Sequence, residues 1–113
     1  MMQIGIRTDA SVKMGSGHVM RCLTLANSLK KEGCYTTFIS RKQSGDLNKL
    51  IINNGFNIIE LPKIKLPSSN NNLDQYCRLE YRDWLGTDEI KDAEDTIIGI
   101  GKLFFDLLIV DHY

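Results

Sequence analysis

The sequence predicts an α/β fold with a Rossmann-like, doubly wound and mostly parallel sheet. Apolar strand-like segments alternate with segments of helical periodicity in the order β-α-β-α-β-α-β. A polar loop with two glycines joins the first strand to the first helix, as is typical of doubly wound domains. The last apolar run, residues 107–110, suits a parallel strand that is covered on both faces. We expect one domain over residues 1–113.

The first half of the chain carries most of this pattern. Its predicted elements are a strand at Met2–Thr8, a helix at His18–Lys31, a strand at Tyr35–Ile39, a helix at Asp46–Asn53 and a strand at Phe56–Leu61. The helices show apolar residues at intervals of three and four, and the strands are rich in β-branched and aromatic residues. Gly33 suits the position just after the first helix, and Pro62 ends the third strand.

The second half begins with residues 63–72, whose serine, asparagine and proline content predicts a loop. The segment Tyr76–Trp84 is irregular or a short helix. Thr87 is the predicted N-cap of a third helix. The apolar residues of that helix are expected to face the sheet, and they are Ile90, Ala93, Ile97 and Ile100.

Strand order brings distant motifs together in this fold. Doubly wound sheets place the first strand beside the fourth. The loop at residues 9–18 and the residues 111–113 therefore lie at the same end of neighbouring strands. Arg7 is unusual in an apolar strand, and a buried arginine needs a partner. Asp9 and Asp111 are the candidates.

Composition excludes several classes of partner. The chain has 14 Lys and Arg against 14 Asp and Glu, so no net charge attracts nucleic acid or an anionic membrane. No apolar run reaches the roughly 18 residues that a membrane span needs. The three cysteines lack metal-type spacing, and no signal-peptide pattern is visible. We therefore expect free thiols and a cytoplasmic protein.

The loop at residues 9–17 has the features of a ligand-binding turn. Gly15 and Gly17 lack a Cβ, so the backbone there can approach a ligand closely. The N–H groups at the start of the following helix favour an anion such as phosphate. His18 lies on the first helical turn, over the mouth of the loop, and histidine can act as a neutral base near pH 7.

Three ordered motifs carry a family resemblance. They are Arg-Thr-Asp-Ala-Ser with Met-Gly-Ser-Gly-His-Val-Met-Arg-Cys-Leu-Thr-Leu-Ala, Asp-Trp-Leu-Gly with Asp-Ala-Glu-Asp-Thr, and the closing Asp-Leu-Leu-Ile-Val-Asp-His-Tyr. Together they resemble the UDP-2,4-diacetamido-2,4,6-trideoxy-β-L-altropyranose hydrolases of pseudaminic acid biosynthesis and related spore coat polysaccharide biosynthesis proteins. The motifs span nearly the whole chain, so the resemblance is specific.

The resemblance implies a GT-B architecture of two Rossmann-like domains. Residues 1–113 would then be an incomplete amino-terminal domain, without the carboxyl-terminal nucleotide-binding domain, and nearly inactive alone. The implied substrate is a UDP-linked 2,4-diacetamido-2,4,6-trideoxy sugar. The implied reaction is inverting hydrolysis to UDP and free sugar, on the route to a nonulosonic acid. His18 would be the general base that activates water, with no metal or other cofactor.

The same resemblance implies the substrate-binding residues. Gly15, Ser16 and Gly17 would shape the turn and approach the phosphates or the sugar, although an ordinary strand-to-helix turn also explains them. Tyr113 would lie in the substrate cleft. Asp111 and His112 are expected to be architectural.

Two polar residues near the loop keep alternatives open. Asp9 can orient His18 or hold a sugar hydroxyl, and it can equally accept N–H bonds of the loop. Arg21 can reach a phosphate or the loop, and it can also be a solvated arginine on a polar helix face.

The sequence is also compatible with other functions. A glycosyltransferase-like relative would use a sugar acceptor in place of water, and fold alone does not choose between the two. A non-catalytic fragment with half a site is a further possibility. A metal site is disfavoured because its candidate ligands lack local spacing. Those ligands are Asp9, His18, Cys22, Asp111 and His112.

Overall fold

The computed structural model describes residues 2–63 and 89–111. Its elements are β1 at Gln3–Thr8, α1 at Gly17–Lys31, β2 at Tyr35–Arg41, α2 at Asn48–Asn53, β3 at Asn57–Leu61, α3 at Glu89–Ile100 and β4 at Leu107–Asp111. The expectations for Tyr76–Trp84, Thr87, His112 and Tyr113 lie outside the described residues. None of the helices described is long and apolar enough to cross a membrane.

The four described strands form one parallel sheet in the order β3-β2-β1-β4. This architecture confirms the α/β, Rossmann-like prediction and the placement of the first strand beside the fourth. In the β1–β4 register, Ile4 lies beside Leu107 and Thr8 lies beside Asp111. The carboxyl end of β4 therefore reaches the loop that leads into α1.

One face of the sheet packs against α1 and α2 through an apolar core. The buried members of this core are Ile4, Ile6, Ala10, Val19, Cys22, Leu23, Ala26, Phe38, Ile51 and Phe56. The rings of Phe38 and Phe56 meet at a centroid distance of 5.4 Å with a tilted geometry that aromatic pairs favour. The apolar residues that recur at intervals of three and four along α1 thus face the sheet, and they fix α1 across its middle.

The opposite face of the sheet carries α3, and here the predicted orientation is wrong. Ile90 and Ile97 are 75% and 70% exposed, whereas Asp92 and Asp95 are each 5% exposed. The helix is rotated about its axis from the expected position, so its acidic side meets the sheet. Close packing accompanies this orientation, because a Cβ on Gly99 would come within 2.9 Å of Leu61.

Two buried arginines explain why the acidic side faces inward. Arg7 binds both carboxylate oxygens of Asp9, at 2.6 and 2.8 Å, and reaches Asp92 at 2.6 Å. Arg41 binds Asp92 at 2.7 Å and Asp95 at 2.9 Å. We call these five residues the buried ionic cluster. A buried guanidinium without a carboxylate is very unfavourable, so Arg41 requires acidic partners from α3, and Asp92 also gives Arg7 a second carboxylate beside Asp9.

The prediction that β4 is covered on both faces is also wrong for the described part of the chain. Leu107, Leu108 and Val110 are 48%, 43% and 59% exposed. They are exposed because β4 is an edge strand of the described sheet and α3 packs against β3, which lies at the opposite edge.

We predict that α3 is held by charge rather than by its isoleucines. Asp92→Asn removes the carboxylate shared by Arg7 and Arg41, and should lower the free energy of unfolding by about 3–5 kcal/mol. Ile97→Asn, on the opposite side of the same helix, should change it by less than about 0.5 kcal/mol. Urea unfolding followed by circular dichroism measures both values. A larger loss for Ile97→Asn than for Asp92→Asn would contradict this packing.

The same cluster predicts acid sensitivity. Burial opposes ionisation of Asp92, but Arg7 and Arg41 outweigh it and hold the pKa of Asp92 below its ordinary 3.8. A carboxyl whose pKa is lower in the folded state stabilises the fold above its unfolded pKa, near pH 4, and loses that contribution as the pH falls through the folded pKa. The melting temperature should therefore fall as the pH drops below about 4. Asp92→Asn should flatten that part of the profile, and an unchanged melting temperature over this range would refute the assignment.

Candidate functional site

The candidate site lies at the carboxyl ends of β1 and β4, where the loop at residues 9–16 leads into α1. Gly15 adopts a positive φ of 83° and donates its N–H to the Ser11 carbonyl at 2.8 Å. The Ser11 hydroxyl accepts the Met14 N–H at 2.9 Å. These bonds fold the loop back on itself, so the chain enters α1 at Gly17, one residue before the predicted start.

The start of α1 carries no side-chain cap within the described region. Ser16 is the N-cap residue, yet its hydroxyl makes no capping hydrogen bond, and no acidic residue lies in the first turn. The first N–H groups of a helix have no partner inside the helix and bear partial positive charge. This end of α1 is therefore suited to an anionic group on a ligand.

His18 is oriented by Asp111. Its Nδ1 lies 2.9 Å from Asp111 Oδ1, and the two side chains are only 18% and 23% exposed. The contact joins the first turn of α1 to the last residue of β4. It follows from the β1–β4 register, which places Asp111 beside Thr8 just before the loop begins.

Arg21 binds the same carboxylate one turn farther along α1. Its Nε donates to Asp111 Oδ2 at 2.9 Å, and its Nη2 donates to Asp111 Oδ1 at 2.7 Å. Such two-point pairing fixes the plane of the carboxylate. Arg21 itself is 66% exposed along its side chain. In this structure it therefore holds Asp111 in position. The sequence left open a contact to a phosphate, a contact to the loop and a solvated arginine, and a phosphate contact stays a prediction.

The hydrogen bonds around His18 favour one tautomer. Nδ1 lies 3.1 Å from Arg21 Nη2, which can only donate, and 2.9 Å from Asp111 Oδ1, which accepts when ionised. Nδ1 cannot donate and accept at once. A proton on Nδ1 faces the carboxylate favourably, while a lone pair there would face its negative charge. We therefore assign the proton of neutral His18 to Nδ1 and the basic lone pair to Nε2.

Neighbouring charges keep Asp111 ionised. The hydrogen bonds from Arg21, and then that from His18, hold the pKa of Asp111 well below its usual range although partial burial opposes this. Cys22 lies against the same carboxylate, with Sγ 3.5 Å from Asp111 Oδ2. Burial, with a smaller contribution from Asp111, raises the pKa of the Cys22 thiol to about 11. Cys22 is therefore a thiol at neutral pH and a poor nucleophile.

Asp9 requires a correction. It is fully buried, binds Arg7 through both carboxylate oxygens, and accepts the Arg41 N–H at 2.8 Å. It neither orients His18 nor lies open to a sugar hydroxyl. The alternative that Asp9 accepts N–H bonds of the loop is closer to what the structure shows, although the N–H that it accepts belongs to Arg41 of β2. The expectation that Asp9 or Asp111 would pair with Arg7 is met by Asp9.

The structure brings His18, Arg21 and the glycine loop together, as predicted. Among the residues that the structure describes, none would lie within 4 Å of a Cβ at Gly15 or Gly17. Tyr113 lies outside the described residues, and its place in a cleft stays a prediction. Asp111 is the site residue that sequence reasoning missed, because it was assigned to the architecture. The sequence did carry a signal for this role, because the strand order of doubly wound sheets places the end of the fourth strand beside the loop.

Among residues 2–63 and 89–111, no group of three or more His, Cys, Asp or Glu side chains has an arrangement that could hold a metal ion. The chemistry that these residues can perform is proton transfer. A histidine whose Nδ1 is fixed by a carboxylate presents Nε2 as a base, as in other carboxylate–histidine pairs.

Comparison with known proteins identifies a relative of this chain, but no family model and no solved structure. No family model matches the chain, and no solved structure matches it. The chain is similar to "Uncharacterized protein MJ1062" of Methanocaldococcus jannaschii, with 34% identity over 111 residues and 98% of this chain covered. The chain spans about a fifth of that relative, 22% of its length. In the relative, a region similar to this chain is thus joined to further polypeptide.

We predict that Asp111 sets the His18 tautomer. Nitrogen-15 NMR of the imidazole at a pH where His18 is neutral should show the proton on Nδ1. Asp111→Ala removes the acceptor and leaves Arg21 Nη2 as the donor nearest to Nδ1, so the proton should move to Nε2. Asp106→Ala is the matched control, because Asp106 lies just before the same strand and binds the Gln3 N–H. A wild-type spectrum with the proton on Nε2 would exclude the assigned hydrogen bond.

Proposed function

We propose that this chain forms the amino-terminal half of the active site of a nucleotide-sugar hydrolase. The proposed reaction is the inverting hydrolysis of a UDP-linked 2,4-diacetamido-2,4,6-trideoxy sugar to UDP and the free sugar. The observation that carries the proposal is the placement of His18, held by Asp111, at the uncapped start of α1. The resemblance of the loop motif to such hydrolases supports the choice of substrate.

The proposed chemistry uses His18 as the general base. Its Nε2 accepts a proton from water while the water oxygen attacks the anomeric carbon. The bond between that carbon and the diphosphate oxygen breaks, and UDP leaves with the electron pair on the opposite face of the sugar. Configuration at the anomeric carbon is therefore inverted. The ionised Asp111 stabilises the imidazolium that forms, as carboxylates do in other histidine pairs.

In this proposal the loop and the start of α1 bind the leaving group. Gly15 and Gly17 leave space beside the backbone, so a phosphate can come close to the first N–H groups of α1. Those N–H groups stabilise the negative charge that develops on the diphosphate as UDP departs. Arg21 contributes by keeping Asp111 ionised and oriented. A GT-B arrangement would hold the uridine on a second domain, so we expect little turnover from residues 1–113 alone.

The decisive experiment is His18→Asn in the longest natural polypeptide that carries this sequence. Loss of the base should lower the rate of hydrolysis by about 10²–10⁴-fold while the circular dichroism spectrum stays unchanged. Met20→Gln is the matched control, because Met20 is an exposed residue on the same helical turn. Product analysis in the absence of a sugar acceptor should find UDP and a free sugar of inverted configuration.

Two results would overturn this proposal. A His18→Asn variant that hydrolyses the substrate at the wild-type rate would remove His18 from the chemistry. Release of UDP that occurs only when a sugar acceptor is added would indicate a glycosyltransferase-like protein.

A further inference from the structure

Charged groups approach the His18 ring from two elements of the described chain. Asp111, at the end of β4, places its Oδ1 atom 2.9 Å from His18 Nδ1. Arg21, one turn farther along α1, places its Nη2 atom 3.1 Å from the same nitrogen. The imidazole therefore contacts an anion and a cation at similar distances. The anion favours protonation of the ring, and the cation opposes it.

Arg21 also compensates the charge of Asp111 itself. Its Nε and Nη2 atoms donate to the two carboxylate oxygens at 2.9 and 2.7 Å. These hydrogen bonds are the largest of the effects that hold the pKa of Asp111 well below its usual range. The ring of His18 thus meets a pair of opposite charges that has no net charge. Without the guanidinium, the carboxylate would present a whole negative charge to the ring.

The other titratable groups of the described loop and of this part of α1 do not disturb the balance. Cys22 contacts the same carboxylate, but burial raises the pKa of its thiol to about 11, so the thiol is neutral. In the loop before α1, Asp9 belongs to the buried ionic cluster, and Lys13 is exposed to solvent. His18 also lies in the first turn of α1, where the partial positive charge of the helix start opposes an added cation.

We propose that Arg21 keeps His18 unprotonated, by neutralising Asp111 and by opposing a positive charge on the imidazole ring. The inference deepens the proposed function and rests on it for its catalytic consequence, because a general base must be unprotonated to accept a proton from water. A lone carboxylate would orient the ring but would also stabilise the imidazolium before the reaction begins. With Arg21 present, Asp111 fixes the tautomer without that disadvantage. Arg21 is a positioning residue in this scheme, since it acts through Asp111 and His18.

The test is a pH titration of the His18 ring in the 113-residue chain, followed by NMR of the carbon-bound ring protons. The chain has two histidines, so the signal that disappears in His18→Asn identifies His18. Arg21→Gln removes the cation from a side chain that is 66% exposed, and the fold should tolerate this change. The midpoint of the His18 titration should rise by about one pH unit or more, because Asp111 then faces the ring uncompensated.

Two further variants separate the effect of charge from that of shape. Arg21→Lys keeps a cation beside Asp111, so its midpoint should stay within about half a pH unit of the wild-type value. Lys31→Gln removes an equal charge about 20 Å away along α1, beyond the distance over which exposed charges interact in salt, and should leave the midpoint unchanged. An Arg21→Gln midpoint at or below the wild-type value would overturn the proposal. An equal rise in Arg21→Lys would do the same, because the charge would then be irrelevant.

The titration does not depend on hydrolysis, so this inference and the proposed function can fail separately. In the longest natural polypeptide that carries this sequence, Arg21→Gln should move the acid limb of the pH–rate profile upward by the interval seen in the NMR titration. The rate at high pH should approach that of the wild type. A rate deficit that is equal at every pH would indicate a purely structural effect and overturn the inference. A raised NMR midpoint in a polypeptide that hydrolyses no UDP-sugar would support the role of Arg21 and refute the proposed function.

Discussion

The pairing of β1 with β4 is the constraint on which the candidate site depends. His18 and Asp111 are 93 residues apart in the sequence, and their side chains meet at 2.9 Å. They meet because the chain crosses the sheet from β3 and returns beside β1, with Asp111 next to Thr8. A shift of the register by one residue would turn Asp111 to the other face of the sheet. The geometry at His18 is therefore a consequence of topology.

On the face of the sheet opposite α1, the buried ionic cluster holds α3 in the position that this topology requires. Arg7 and Arg41 stand on neighbouring strands, and Asp92 binds both of them. Ion pairs of this kind add little net stability relative to apolar packing, because both charges lose their hydration. They do select one arrangement, since any other placement of α3 would take the carboxylates of Asp92 and Asp95 from the buried Arg41 guanidinium and leave Arg7 with Asp9 alone. The position of α3 in turn directs the chain into β4.

Asp111 has several partners, and this explains its importance at the site. One carboxylate accepts hydrogen bonds from His18, Arg21 and Cys22. Arg21 fixes the plane of the carboxylate and keeps it ionised, so His18 faces a negative charge of fixed position. The Cys22 thiol is buried beneath it and takes no part as a nucleophile. The arrangement gives Asp111 an orienting role toward His18.

Local pattern in the sequence determined the strands, the start of α1, the glycine turn and the place of His18. Those features rest on residues close together in the chain, where spacing and backbone preference leave a readable signal. The sequence also offered Asp9 as a partner of Arg7. Only the tertiary structure decided that α3 turns its aspartates inward, that Asp9 also accepts the Arg41 N–H, and that Asp111 orients His18. These outcomes depend on hydrogen bonds and ion pairs between residues distant in sequence. Such pairs leave no periodic trace, and the cost of a buried unpaired arginine outweighs the burial of a few isoleucines.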